Sequence, residues 1–191
     1  MKIGLFFGSF NPIHIGHLAI ANYMVEYSDI EMIWFVISDQ NPLKEKASLL
    51  GDEHRLTLVR KAIGGDRRFK ASDIEFHLSK PSYTINTLTY LSRQHPEHEF
   101  VIVMGADGLS TFYKWKNSEE LIKTTQRYVY PRPGISITES EHTENCVFVN
   151  APLLEVSSTF IRESIKAGKD VRHFLHSKVW EHVEEMNFYK E

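Results

Sequence analysis

Two histidines flanked by glycines form the segment of this sequence whose residue types best suit the binding of a phosphate. Residues 8–18 read Gly-Ser-Phe-Asn-Pro-Ile-His-Ile-Gly-His-Leu, between an apolar run that ends at Gly8 and a helical pattern that begins near Gly16. A helix start offers unpaired N–H groups and the positive end of the helix dipole, and both attract an anion. His14 and His17 are three residues apart and can face the same point there. The segment therefore predicts a phosphate site; the alternative is a loop with two incidental histidines, one of which caps the helix.

Neither of the two best-known phosphate-binding signatures occurs in the chain. The sequence has no G-x-x-x-x-G-K-[ST] segment, which excludes a P-loop enzyme, and no G-x-G-x-x-G segment for a dinucleotide. A phosphate site at residues 8–18 must therefore use a different arrangement of backbone and side chains.

A second candidate phosphate site lies at a predicted helix start near residue 157. Ser157, Ser158 and Thr159 supply hydroxyl and N–H groups there, and Arg162 follows one helical turn later. A guanidinium in that position can clamp a polyphosphate with paired N–H donors. Taken in isolation, the same segment is more often an ordinary N-cap with a surface arginine.

Three further side chains are candidates for contacts with a nucleotide, and each has a simpler alternative role. Asp107 follows the predicted strand end at Gly105 and could accept hydrogen bonds from ribose hydroxyls, or could cap a helix. Trp115 could stack on a planar ring, although tryptophan more often belongs to a core. Lys44 could reach the site from a loop, although most lysines are merely solvated.

The elements that must position these residues alternate between short apolar runs and amphipathic helical patterns. Strands are predicted at residues 3–7, 33–37, 69–76, 100–104, 128–130 and 147–149. Helices are predicted after residue 16, over 52–63, from residue 82 or 84 through 91, from 157 or 158 to 168, and through 179–183. The alternation predicts an α/β fold, with a mostly parallel sheet covered by helices on both faces. In such a sheet ligands bind beyond the carboxyl ends of the strands, the edge at which Gly8 and Gly105 each end a strand.

Length and composition are those of a globular protein without a strongly charged surface. The 191 residues predict a single domain over 1–191, with a small helical part from about residue 157. The net charge of −3 argues against partners such as nucleic acid or an anionic membrane. A single cysteine, Cys146, and the lack of a signal peptide or a long apolar run predict a reducing, cytoplasmic location. The sequence leaves open whether the chain forms a homo-oligomer.

Several segments together resemble a known enzyme family. Residues 14–17 spell His-Ile-Gly-His, similar to the (T/H)-x-G-H motif of a nucleotidyltransferase superfamily, and residues 81–88 resemble the Pro-Ser-Tyr-Thr segment of bacterial nicotinate-nucleotide adenylyltransferases. Residues 105–109 with Trp115, residues 132–134 and residues 156–162 are similar to further segments of that family, in the same order. Class I aminoacyl-tRNA synthetases share the first motif, but they are much larger, and the chain lacks their KMSKS lysines and a basic surface for tRNA. The combination is specific, whereas each segment alone is weak.

The resemblance implies a Rossmann-like, doubly wound fold and transfer of AMP from ATP to nicotinate mononucleotide, with release of pyrophosphate, in NAD biosynthesis. It implies catalytic roles for His14, His17 and Arg162, and Mg²⁺ bound mainly through the ATP phosphates without a metal ligand from the protein. The ATP-binding residues that it implies are Gly8, Ser9, Phe10, His14, His17, Asp107, Ser157, Ser158, Thr159 and Arg162. The substrate-binding residues that it implies are Lys44, Tyr83, Thr84, Gly105, Asp107, Trp115, Lys116 and Arg132.

Two alternative functions stand beside this one. Phosphopantetheine adenylyltransferases share the segment at residues 156–162, but residues 82–84, the histidine-led motif and the length of the chain argue against that activity. A catalytically silent nucleotide-binding regulator is the second alternative, and the intact His14, His17 and Arg162 argue against it.

Four residues depart from those most common in the family. Asn11 stands in place of an aspartate, Gly108 in place of a serine, Pro131 in place of an arginine, and Lys116 in place of an aromatic residue. None of these changes removes a predicted phosphate ligand, whereas Asn11 and Lys116 alter groups near the expected substrate.

Overall fold

The apolar runs of the sequence become strands of one parallel sheet in a computed structural model, which describes residues 1–38, 49–135 and 143–190. The strands are β1 (Lys2–Gly8), β2 (Met32–Ile37), β3 (Phe69–Ser72), β4 (Glu99–Gly105), β5 (Arg127–Tyr130) and β6 (Cys146–Phe148). They lie in the order β3-β2-β1-β4-β5-β6, and every neighbouring pair is parallel. The predicted α/β fold with a doubly wound sheet is confirmed, and the sheet is parallel throughout.

The first five helices lie between strands β1 to β5 along the chain, the last two follow β6, and together they cover both faces of this sheet. In the described part of the chain they are α1 (Ile15–Tyr27), α2 (Asp52–Ile63), α3 (Thr84–Gln94), α4 (Ala106–Leu109), α5 (Ser118–Thr124), α6 (Ser158–Lys166) and α7 (Ser177–Glu185). Short 3₁₀ turns occur at Ile74–Phe76, Phe112–Lys114 and Arg172–Phe174. The sequence did not predict α4 and α5, because helices of one or two turns are too short to show a clear apolar period.

Two apolar cores fill the space between the sheet and the helices. Phe6 and Phe35 belong to the core that the sheet forms with α1, α2, α6 and α7. Leu5 and Ile102 belong to the opposite core, formed with α3, α4 and α5. Strands buried on both faces need apolar residues at consecutive positions, which explains their unbroken apolar runs in the sequence.

The predicted strand over residues 69–76 is wrong in its second half. Strand β3 ends at Ser72, and Ile74–Phe76 form a 3₁₀ turn. The side chain of Glu75 is buried there and accepts hydrogen bonds from hydroxyl groups beyond the turn. The chain therefore leaves the sheet after Ser72, although the apolar residues at positions 74 and 76 are typical of a strand.

The strand order reverses at the centre of the sheet. Strand β1 pairs with β2 on one side and with β4 on the other, so the carboxyl ends of β1 and β4 lie next to each other. Ligands of open parallel sheets bind in the crevice at such a reversal. Gly8 ends β1 and Gly105 ends β4. Two of the predicted nucleotide-binding segments therefore start from adjacent strand ends.

Three predictions from the sequence concern Lys44, the polar stretch before β6 and the division of the chain into domains. Lys44 and most of the polar stretch at residues 137–145, which predicts a surface loop, lie outside the described residues. The single domain with a small C-terminal helical part stays a prediction. Among the described residues, none of the helices combines the length and apolar character needed to cross a membrane.

Candidate active site

The segment at residues 8–18 forms the loop from β1 into α1, and it brings both histidines together as predicted. His14 is the N-cap residue of α1. The rings of His14 and His17 stack with their centroids 3.8 Å apart. The Nδ1 atom of His17 accepts a hydrogen bond of 3.2 Å from the backbone N–H of His14. Because Nδ1 is an acceptor, the proton of the neutral His17 ring is on Nε2, which makes that nitrogen a donor.

Close packing around the two histidines explains two other residues of the segment. A Cβ atom on Gly16 would lie 3.0 Å from the His14 ring, so glycine lets that ring approach the first turn of α1. Phe10 has a φ of 45°, and its buried ring meets the His17 ring edge-on at 5.1 Å. The Phe10 side chain therefore supports His17 from the core, and a contact of Phe10 with ATP would have to use its backbone.

The environment of His14 favours the neutral imidazole. The residue is 5% exposed. Burial, and to a smaller extent the positive charge of Arg132, lower the pKa of His14 to about 4. The ring is therefore neutral at neutral pH, whereas a triphosphate bound beside it would raise the pKa. The sequence alone did not show whether the protein environment or a bound triphosphate has the larger effect on the pKa.

His14 should make the folded protein less stable as the pH falls from about 6.5 to about 4. In this window the unfolded chain binds a proton on His14 and the folded chain does not, so the free energy of unfolding decreases with falling pH. The loss is roughly 3 kcal/mol at most. Urea unfolding of the wild type and of His14→Gln across this pH range measures it. The variant should lose less stability than the wild type, and equal losses would contradict the prediction.

The second predicted phosphate segment forms the start of α6, next to the loop before α1. Ser157 is the N-cap residue of α6, and its Oγ accepts a hydrogen bond of 3.1 Å from the N–H of Phe160. The hydroxyl of Ser158 donates to the carbonyl of Pro12 at 2.9 Å. Both serine side chains thus have structural partners, and the first-turn N–H groups of α6 are what this segment can offer to a phosphate.

Arg162 connects α6 to the same loop. Its Nη1 donates to the carbonyl of Asn11 at 2.9 Å, and its Nη2 donates to Thr159 Oγ1 at 3.3 Å. The cleft between the starts of α1 and α6 is lined by His14, Gly16, His17, Arg132 and Val156 among others. The second candidate segment therefore lies against the loop that carries the histidines, and it reaches the lining of the cleft through Val156.

The turn after β4 brings Asp107 and Arg132 together. Arg132 Nε donates to Asp107 Oδ1 at 3.3 Å, and both side chains are partly exposed. A Cβ atom on Gly105 would collide with the Asp107 carboxylate and would lie 2.9 Å from Arg132 Nε, so this approach requires glycine. Gly105, not Asp107, is the N-cap residue of α4. Asp107 therefore does not act as the helix cap that the sequence offered as its simpler role.

Tyr83, Trp115 and Lys116 lie on the side of the sheet covered by α3 and α5. The Lys116 Nζ is 4.4 Å from the centroid of the Tyr83 ring. Trp115 is half-buried and packs on Phe112 with the ring centroids 4.8 Å apart. One face of the predicted stacking residue is thus occupied by the core. The structure brings Tyr83 and Lys116 into direct contact, as a shared substrate site requires.

The predicted cap of helix α3 by Ser82 or Thr84 is wrong. Tyr83 is the N-cap residue, and its side chain makes no capping hydrogen bond. Thr84 is already the first helical residue, and the Ser82 hydroxyl donates to the carboxylate of Glu75 instead. The start of α3 is therefore without a side-chain cap, which leaves its positive end to interact with an anionic group.

Arg55 is a residue of this region that sequence reasoning missed. Its buried guanidinium donates to the carbonyls of Ser9 at 2.7 Å, Ser38 at 2.8 Å and Leu50 at 3.0 Å. It thereby links the loop after β1 to the end of β2 and to the start of α2. Its spacing could have indicated that Arg55 is buried, because it lies four residues before Val59 on the buried face of α2.

Asn11 also receives contacts from distant parts of the chain. Its Oδ1 accepts hydrogen bonds from the hydroxyl of Tyr189 at 2.9 Å and from the N–H of Leu50 at 3.2 Å. Asn11 is 3% exposed. An amide oxygen accepts these bonds as a carboxylate would, without placing a charge in a buried position. The departure from aspartate at this position therefore keeps the contacts of the loop.

A group of three residues with metal-ligand side chains, His95, Glu97 and His98, lies elsewhere in the described part of the chain. It directly precedes β4, at the opposite end of that strand from Gly105. Histidines that bind a metal usually donate with their second ring nitrogen. The Nδ1 of His98 is buried without a hydrogen-bond partner, so this arrangement does not favour a metal site.

Comparison with known proteins identifies the family. Residues 5–164 match the cytidylyltransferase-like family. A protein of Christiangramia forsetii, named probable nicotinate-nucleotide adenylyltransferase, is 51% identical over 99% of this chain and 98% of its own length. A protein of Flavobacterium johnsoniae with the same name is 48% identical, with both chains covered completely.

Solved structures agree on the fold. The nicotinic acid mononucleotide adenylyltransferase of Plasmodium falciparum, solved in complex with NaAD, superposes with a TM-score of 0.85 at 22% identity, covering 99% of this chain and 97% of that one. A putative nicotinate-nucleotide adenylyltransferase of Vibrio parahaemolyticus gives a TM-score of 0.74 at 21% identity, covering 100% and 96%. The family match and the identity to full-length relatives confirm the predicted family: the chain belongs to the cytidylyltransferase-like proteins and, among them, to the nicotinate-nucleotide adenylyltransferase family.

Proposed function

We propose that this chain transfers AMP from ATP to nicotinate mononucleotide, forming nicotinate adenine dinucleotide and pyrophosphate. The observation that carries the proposal is the pairing of two helix starts at the reversal point of the sheet, one with His14 and His17 and one with Arg162. The names of the relatives favour this activity over phosphopantetheine adenylylation and over a silent regulator.

The reaction is an in-line displacement at the α-phosphorus of ATP. A phosphate oxygen of nicotinate mononucleotide forms the new bond to that phosphorus, and the bond from it to the oxygen that bridges to the β-phosphorus breaks. Pyrophosphate leaves with the electron pair of the broken bond. Because the second pKa of a phosphate monoester is about 6, the nucleophile is ionised at neutral pH and needs no general base. Catalysis then depends on positioning two anions and on stabilising the charge that develops on the phosphate oxygens.

We assign the donors of the cleft to the three phosphates of ATP. His17 donates from Nε2 to the α-phosphate, and His14 lies nearer the β-phosphate. Arg162 and the first-turn N–H groups of α6 bind the β- and γ-phosphates. The hydrogen bonds that tie Arg162 to the Asn11 carbonyl and Ser158 to the Pro12 carbonyl support this assignment, because they hold α6 against the loop that carries the histidines.

The acceptor nucleotide is assigned to the residues around β4 and α3. Asp107 accepts hydrogen bonds from ribose hydroxyls, and Arg132, beside it, offers a positive charge to phosphate. Tyr83 and Lys116 contact each other near the uncapped start of α3, which suits the carboxylate of the pyridine ring. Trp115 is the aromatic residue beside them.

Mg²⁺ enters this proposal as part of the substrate, MgATP. Of the residues that line the described cleft, none has a carboxylate, and Asp107 nearby is engaged with Arg132. Mg²⁺ usually keeps several waters and binds substrate phosphates together with few protein ligands. A nucleotide-borne ion therefore suits these residues better than a dedicated metal site of the protein.

Pyrophosphate release with a panel of acceptors tests the proposed function. With ATP and Mg²⁺, the protein should release pyrophosphate in the presence of nicotinate mononucleotide and form nicotinate adenine dinucleotide. Parallel reactions contain phosphopantetheine or no acceptor. Turnover of phosphopantetheine without turnover of mononucleotides would overturn the proposal, and nucleotide binding without any turnover would identify a regulator.

A further inference from the structure

A buried carboxylate lies directly behind the start of helix α3. Glu75 belongs to the 3₁₀ turn after β3 and is 3% exposed. Its Oε2 accepts a hydrogen bond of 3.0 Å from the Ser82 hydroxyl, and its Oε1 accepts one of 3.0 Å from the Thr87 hydroxyl. The two donors lie on either side of Tyr83, the N-cap residue of α3.

We propose that Glu75 is a positioning residue that sets the first turn of α3, and through it Tyr83 and Thr84, for binding the pyridine carboxylate of nicotinate mononucleotide. This inference rests on the proposed function. Glu75 itself is buried beneath the helix start and does not touch the substrate.

The contacts of Thr87 transmit the position of Glu75 to the N-cap. While its hydroxyl donates to Glu75, the backbone N–H of Thr87 donates to the carbonyl of Tyr83 at 3.2 Å. Ser82, the residue directly before Tyr83, is held by the other oxygen of the same carboxylate. The N-cap is therefore fixed from both sides, although no side chain caps the helix itself.

The chemistry of Glu75 favours orientation over simple packing. A buried carboxylate is costly unless hydrogen bonds satisfy it, and an apolar side chain of similar size often stabilises a fold at least as well. Hydrogen bonds to a charged group are strong and directional, so two hydroxyl donors on two oxygens define the orientation of the turn.

The test compares the KM values of the two substrates in variants of this hydrogen-bonded group. Glu75→Gln removes the negative charge from both hydrogen bonds, Thr87→Val removes one of the two donors, and we expect each variant to raise the KM for nicotinate mononucleotide roughly tenfold. The KM for ATP should stay within about twofold of the wild type, because the phosphate cleft is built from other elements. Because both changes weaken the contact between Glu75 and Thr87, their effects should not add, and the double variant should be little worse than the single ones.

Thr89→Val is the matched control in the same helix. Thr89 is exposed, and its hydroxyl donates to the carbonyl of Ile85 at 2.8 Å without contacting Glu75. This variant should have wild-type values for both substrates. If Glu75→Gln fails to fold, as judged by far-UV circular dichroism, Thr87→Val and the milder Ser82→Ala carry the test.

The outcomes separate this inference from the proposed function. Equal increases of both KM values, or a loss of thermal stability with unchanged kinetics, would show that Glu75 only supports the fold and would overturn the inference. Wild-type turnover with unchanged KM values in the variants would also overturn it, while the proposed function would stand. A wild type that does not turn over nicotinate mononucleotide would overturn both.

Discussion

Replacing His17 by alanine should lower kcat by roughly 10²–10³, the usual effect of losing one donor to a charge that develops in the transition state. The Nδ1 of His17 is occupied by the backbone N–H of His14, which leaves Nε2 as the donor nitrogen. The KM values should change far less, because the proposed site also assigns Arg162 and two helix starts to the phosphates. Steady-state pyrophosphate release at saturating substrates measures kcat.

Two further variants separate the donor role of His17 from its role at the helix start. In His17→Asn the amide oxygen lies near the position of Nδ1 and can still accept the N–H of His14, but no donor remains at the position of Nε2. This variant should be nearly as slow as His17→Ala. His173→Ala, which removes an exposed histidine beyond α6, should keep wild-type kinetics. Recovery of kcat in His17→Asn would mean that His17 acts only at the helix start.

Local spacing made the arrangement of the candidate phosphate residues predictable from the sequence. His14 and His17 lie within one helical turn, so their proximity follows from helix geometry alone. Gly8 and Gly105 end apolar runs, and parallel strands place such ends at one edge of a sheet. These inferences need no knowledge of distant contacts, and the arrangement of α1, β1 and β4 agrees with them.

The residues that brace the site were not predictable in this way, because their partners are distant in sequence. The hydroxyl of Tyr189 reaches the Asn11 side chain across 178 positions. In the sequence Glu75 is indistinguishable from an exposed polar residue of a strand. Its burial follows from hydrogen bonds with Ser82 and Thr87, which only the structure shows. No periodic pattern contains that information, since burial and hydrogen bonding of a single charged residue depend on the completed fold.

A preference for the acid over the amide substrate is the second large effect that we expect. The kcat/KM for nicotinate mononucleotide should exceed that for nicotinamide mononucleotide by roughly 10² or more. The start of α3 carries no side-chain cap, and Lys116 adds a positive charge at Tyr83. A carboxylate accepts hydrogen bonds from such donors, whereas a carboxamide places its own NH₂ group against some of them and leaves them unpaired. Competition between the two substrates at equal concentration, followed by separation of the products, measures the ratio.

Variants of two neighbouring lysines show whether this positive charge sets the preference. Lys116→Met should reduce the ratio roughly tenfold by removing the charge while keeping an apolar side chain at the Tyr83 ring. Lys114 lies 5.5 Å from the ring of a different tyrosine, Tyr113, so Lys114→Met is a control for the loss of one positive charge and should leave the ratio unchanged. Trp115→Ala should also lower the ratio, because losing its contact with Phe112 displaces the backbone next to Lys116. Equal use of both mononucleotides by the wild type would contradict the preference and leave the proposed adenylyl transfer intact, because the residues that we assign to the phosphates are not those that we assign to the pyridine substituent.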